Sequence, residues 1–150
     1  MSLLRKLRGS ENDLNGVASV SANDLWAVGD FVDPTTGVTQ TVIELWNGTS
    51  WSVVTSPGPG TQDNLLAGVT VVATNDVWAV GQFTPTGGVQ QTLIEQWNGT
   101  SWSVVTSPSP SSSFNFLDAA TADPSSGQVW AVGYVVNASQ HFQTLTKFNP

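Results

Sequence analysis

The chain has no cysteine, one histidine, one tyrosine and one methionine in 150 residues, and only four basic side chains. Each shortage removes a class of chemistry. Without cysteine there is neither a disulfide framework nor a thiolate metal site. With His141 as the sole imidazole, a nucleophile–base pair has one place to form, and a site of clustered imidazole ligands has none. No apolar run approaches the roughly 20 residues of a membrane-spanning helix. Arg5, Lys6 and Arg8 take up most of the positive charge; from Glu11 onward Lys147 stands alone against eleven acidic residues. A body so acidic repels nucleic acid and anionic membrane surfaces, so neither is expected as a partner, and the charge reads first as solubility. Residues 1–10 carry charges but no apolar stretch after them, which does not match a secretory signal.

What the chain does have is Val, Thr, Ser, Gly and seven Trp, a composition of strands and turns. It is also periodic. Trp-Asn-Gly-Thr-Ser-Trp-Ser-Val-Val-Thr-Ser-Pro occupies residues 46–57 and again residues 97–108. Trp-Ala-Val-Gly begins at Trp26, Trp78 and Trp130, 52 residues apart each time. A fixed period of this size means one structural unit copied in tandem.

The second unit reads most clearly. Residues 65–72 are apolar and β-branched, residues 77–83 and 91–97 form two further strands, and residues 102–106 a fourth. Between the last two stands Asn98-Gly99, the strongest short hairpin signal. The same scheme places strands at 14–20, 25–32, 41–46 and 51–55 in the first unit, and at 116–121, 129–136 and 142–148 in the third. Four antiparallel strands in about 50 residues is the size of a propeller blade. The expected fold is therefore all-β: β-propeller blades, about three per chain. The units are an N-terminal segment at 1–10, blade 1 at 11–60, blade 2 at 61–113 and blade 3 at 114–150, which lacks its own fourth strand. A β-solenoid normally repeats faster, and stacked β-sandwiches need longer units.

These motifs resemble kelch-like and galactose-oxidase-like propellers. They are also similar to bacterial tandem repeats of the form Leu-x-Gly-Val-x-x-Val-x-x-x-Asp-x-Trp-Ala-Val-Gly followed by Glu-x-Trp-Asn-Gly-Thr-x-Trp. The likeness runs from Leu14 to nearly the end of the chain. It implies blade geometry and an extracellular or surface setting. It does not carry over the copper radical chemistry of galactose oxidase, which needs Cys, Tyr and His in numbers this chain lacks.

Residue by residue, chemistry is sparse. His141 reads as an exposed loop residue. Glu44 and Glu95 recur in the third strand, with Lys147 in their place in the third unit; a glycosidase pair should be unique, not one per blade. Asp24 and Asp76 recur before the second strand, where turn capping is the simplest role; Gln128 replaces them in the third unit. The Asn-Gly-Thr triplets at Asn47 and Asn98, and Asn137-Ala-Ser, fit a glycosylation sequon. No catalytic, metal or cofactor site is expected. Trp26, Trp78 and Trp130 read as blade packing. Trp46, Trp51, Trp97 and Trp102 flank the hairpins, either as cross-strand clamps or as platforms on which sugar rings stack.

The ends are informative. Two and three-quarter blades cannot close a ring. Met1-Ser2-Leu3-Leu4 aligns with Trp51-Ser52-Val53-Val54, so Ser2, Leu3 and Leu4 are candidates for a displaced fourth strand. Its acceptor would be the strand holding Thr144, Leu145 and Phe148 in a second copy. Leu3, Leu4 and Leu7 equally suit a short helix, and the chain equally suits a fragment of a longer propeller or one unit of an open filament. The primary expectation is a non-enzymatic binding or assembly scaffold that closes a six-bladed ring from two chains, with self and a protein or glycan as partners. The alternatives are a multivalent carbohydrate-binding propeller and a portion of a larger propeller protein or enzyme.

Overall fold

The computed structural model describes residues 11–149, with side chains as far as Lys147. Ser2, Leu3 and Leu4 lie outside that range. Among the described residues there are eleven strands in three antiparallel sheets and no helix. Blade 1 is β1 (Asn12–Ser21), β2 (Asp24–Val32), β3 (Thr39–Trp46) and β4 (Trp51–Val54), paired in that order. Blade 2 repeats it with β5 (Asn64–Ala73), β6 (Asp76–Phe83), β7 (Gln91–Trp97) and β8 (Trp102–Val104). Blade 3 has β9 (Phe114–Ala122), β10 (Val129–Val136) and β11 (Phe142–Asn149), with β11 at the sheet edge. This is the blade architecture the periodicity predicts. The first strands begin one or two residues earlier than expected and β8 ends earlier, although Val105 N–H still donates to the Ile94 carbonyl at 2.8 Å.

The single glycine ending Trp-Ala-Val-Gly has a steric cause. A Cβ on Gly29 would lie 1.9 Å from the carbonyl oxygen of Asp13, and one on Gly81 2.0 Å from that of Leu65. The neighbouring strand is bulged just there, between Leu14 and Gly16 and between Leu66 and Gly68, bringing its backbone over the glycine.

Side chains alternate between the two faces of each sheet. In blade 1, Ala18, Trp26 and Leu45 share register on one face, called the back; Val17, Ala27 and Glu44 share register on the other, the front. The back of blade 1 (Trp26, Val28, Ile43) packs on the front of blade 2 (Leu66, Val69, Leu93) in one core. The back of blade 2 (Val80, Ile94) packs on the front of blade 3 (Leu117, Ala131, Leu145) in a second. Hence both faces of blade 2 are apolar, as a stacked repeat requires.

Candidate functional site

Because strands alternate in direction, the turn after the first strand and the hairpin after the third emerge at the same end of each blade. In blade 1 the hairpin is shaped by Asn47, whose Oδ1 accepts the N–H groups of Thr49 (3.0 Å) and Ser50 (2.9 Å). Gly48 takes φ 90°, a left-handed conformation that suits glycine, and a Cβ there would meet the Asn23 side chain at 2.9 Å. The hairpin thus folds down on the β1–β2 turn. Asn98 and Gly99 repeat this over Asn75.

Between these ends of blades 1 and 2 lies a cleft of about 320 Å³. Trp97 on the front of blade 2 and Trp26 on the back of blade 1 meet at it, and Trp46, which shares the front of blade 1 with Leu25, borders it at the blade end. Asn23, Asp24 and Asn47 supply the polar side. On the cleft side Trp97 lies 5.0 Å from Trp26; on the front of blade 1 Trp46 lies 5.8 Å from Trp51, centroid to centroid. Of the four hairpin tryptophans, Trp97 is the one that faces this cleft from blade 2; Trp46 and Trp51 lie on the front of blade 1, away from blade 2. Trp51 clamps Trp46 across the hairpin. Trp102 is a correction to the stacking set: it is buried in the core, 5.3 Å from Trp26 in an edge-on contact, and is not a platform for a ligand.

The sequence motifs also understate Asp24 and Trp26. Asp76, the counterpart of Asp24 in blade 2, does not cap its turn. Its Oδ1 accepts Trp78 Nε1–H at 2.7 Å and Gln96 Nε2–H at 2.8 Å. In blade 1 the glutamine position is Leu45 and Trp26 Nε1 has no partner. Among the described residues nothing hydrogen-bonds to the Asp24 carboxylate, which is left as an acceptor inside the cleft. The signal was present in the exchange of Leu45 for Gln96, but only the register shows that this position faces the aspartate.

The remaining candidates separate. Glu44 and Glu95 sit on the fronts of successive blades, so a whole sheet divides them and they cannot flank one bond. Burial raises Glu95 to about 7, against the opposing pull of the Ser56 hydroxyl at 2.8 Å and the Gly58 backbone. Burial raises Glu44 as well. Lys147 takes that position in blade 3 and donates to the Pro108 carbonyl at 2.5 Å; burial pushes its pKa down. His141 is exposed, with its backbone N–H on Asn137 Oδ1. Among the described residues no three His, Asp or Glu side chains group as metal ligands, and no helix is long and apolar enough to cross a membrane. Of the expected strand-pairing residues, Thr144 is exposed on β11, Leu145 points into the core against blade 2, and Phe148 pairs through its backbone with Trp130.

No protein-family model and no curated protein sequence matches the chain. Among solved structures it is similar to a fucose lectin from Kordia zhangzhouensis in complex with methyl-fucoside. The TM-score is 0.59 at 12% identity, over 89% of this chain and 94% of that one. At that identity the likeness is one of fold.

Proposed function

We propose that the chain is a non-enzymatic carbohydrate-binding module whose site is the cleft between blades 1 and 2. The observation that carries the reading is the Asp24 carboxylate, without a hydrogen-bond partner among the described residues, in a cleft that Trp97 lines from the facing blade. A pyranose has an apolar C–H face and a polar rim. Indole rings receive the first, and a carboxylate accepts hydrogen bonds from hydroxyls on the second. The Asn47 Oδ1 is committed to its hairpin, so its amide Nδ2 is the group turned to a ligand. The fold shared with a lectin supports the same reading. A single small cleft binds weakly. Self-association of the chain, which would multiply sites and raise avidity, belongs to the proposal.

Calorimetric titration with methyl-fucoside and a panel of other monosaccharides tests it. Binding of at least one sugar is expected, weakened tenfold or more by Trp97→Ala and by Asp24→Ala, and unchanged by Asp76→Ala. No binding at millimolar sugar, or binding indifferent to both cleft variants, overturns the assignment.

A further inference from the structure

We infer that the two open ends of the blade stack bind each other across copies of the chain, head to tail, so that two chains close one ring of six blades. This rests on the self-association part of the reading above; sugar binding by the cleft stands or falls separately.

The internal junctions are the template. Trp26, Trp78 and Trp130 are equivalent; the first two are 2% and 5% exposed beneath the next blade, whereas Trp130 on the back of blade 3 is 42% exposed. Val132 is likewise exposed where Val28 and Val80 are buried. The back of blade 3 continues as an apolar and aromatic surface through Tyr134 and Phe142, whose rings lie 5.3 Å apart. At the other end, Leu14 on the front of blade 1 is 45% exposed, while its equivalents Leu66 and Leu117 are 0% and 1% exposed against the preceding blade. Val17 is more exposed still, where Val69 is buried. One end thus presents the surface that elsewhere in the chain is covered by a blade front, and the other presents that front. Two like ends do not match; two unlike ends do, which makes the contact heterologous.

A hydrogen-bonding position gives the same answer independently. In blades 2 and 3 the first strand begins near an asparagine that bonds the backbone four residues before it, at Gly60 and Ser111, and also reaches the preceding blade. Asn64 Nδ2 donates to the Thr39 carbonyl at 3.4 Å, and Asn115 Nδ2 to the Gln90 carbonyl at 2.9 Å. Asn12 holds this position in blade 1, and its buried Nδ2 has no partner. The residue of blade 3 that corresponds to Thr39 and Gln90 is Phe142, by its place opposite the end of the second strand. The inferred partner of Asn12 Nδ2 is therefore the Phe142 carbonyl of a second copy. Closed propellers hold about four to eight blades. The described residues hold three blades, so two copies of them supply six, inside that range.

Sedimentation equilibrium of the full chain and of two variants tests the inference. Wild type should run at twice 15.8 kDa. Val17→Asp and Val132→Asp, both at exposed positions, should each weaken the dimer about a hundredfold or more, since each places an unpaired charge in an apolar junction. Unchanged circular dichroism shows that they still fold. Mixed together, the two variants should re-form a dimer through the one junction in which both surfaces are wild type. A monomeric wild type overturns the inference, as does a polymer, a dimer sensitive to only one of the substitutions, or the failure of the mixture to recover. If the variants run as monomers yet still bind sugar through the cleft, the ring is supported and the sugar site is independent of it.

Discussion

Blade 1 meets blade 2, and blade 2 meets blade 3, through equivalent faces, yet the two junctions are built differently. At the first, Trp26 lies under Trp97 and Trp102 at 5.0 and 5.3 Å, a cluster of three indoles. At the second, the two positions over Trp78 lack tryptophan: Asn149 stands where Trp97 would, and blade 3 has no fourth strand among the described residues to supply a Trp102. A gap of about 70 Å³ opens there, lined in part by Trp78, Pro108 and Lys147. Polar contacts trade places with aromatic ones. Trp78 spends its indole N–H on Asp76, whereas Trp26 does not, and Asp24 has no hydrogen-bond partner among the described residues. Duplicated sequence supplies the frame; a few exchanged residues decide which junction is packed shut by aromatics and which carboxylate is spent inside the protein.

The strongest way to break this comparison is to remove the central indole from each junction. Trp26→Ala should cost about 3–5 kcal/mol, the range for emptying a large aromatic site. Trp78→Ala should cost about 1–2 kcal/mol less, because fewer ring contacts are lost and a void already adjoins it. Urea denaturation of the two variants checks the order. Equal costs would mean that the indole cluster adds nothing beyond burial.

The next effect belongs to a carboxylate in the first junction. Glu95 is raised from 4.5 to about 7, chiefly by burial. The folded chain therefore keeps a proton over a pH range in which the unfolded chain has lost it. The resulting stability is fully present below pH 4.5 and is lost as pH rises through about 7. A shift of this size corresponds to roughly 3 kcal/mol. Glu95→Gln should flatten that dependence and leave the chain more stable than wild type at pH 8. Unfolding midpoints across pH 4–8 measure it; a variant as steep as wild type would place the titrating group elsewhere. Glu44, also raised by burial, predicts a residual slope in the same direction.

Much of this architecture is legible in the chain itself. Periodicity, Asn-Gly hairpins and apolar alternation locate all eleven strands of the described residues to within a few residues, because blade and hairpin signals are local. The site is far less so. Trp46 and Trp97 are 51 residues apart and look identical in their duplicated motifs; only stacking sets Trp97 against Trp26 of blade 1 and leaves Trp46 on the other side of that sheet. Trp102 carries the same motif signal as Trp97 and is core. Asp24 and Asp76 look equivalent until the register shows Leu45 and Gln96 beside them. Local sequence encodes the unit, and the difference between neighbours in space encodes the site.

That difference can be transplanted. Leu45→Gln gives blade 1 the amide that engages Asp76 in blade 2, and should occupy Asp24 and weaken sugar binding about tenfold, the worth of roughly 1.4 kcal/mol. Gln96→Leu frees one of the two bonds on Asp76 and should leave the cleft affinity unchanged. Titration of both variants with the best-bound sugar decides it. Full affinity in Leu45→Gln would mean that the carboxylate of Asp24 is not what the ligand meets.

The smallest expected effect compares the two hairpins. Asn47 and Asn98 make the same pair of backbone bonds, so replacing either with Ala should cost a similar amount, about 1 kcal/mol, as loss of a side-chain cap does. Thermal unfolding should show nearly equal shifts. Only Asn47 lines the cleft, so only Asn47→Ala should also reduce sugar affinity, by a few-fold. Matched stability with unmatched binding would separate the structural duty common to both copies from the recognition duty of one. Equal loss of binding would show instead that hairpin rigidity, not the Asn47 amide, supports the site.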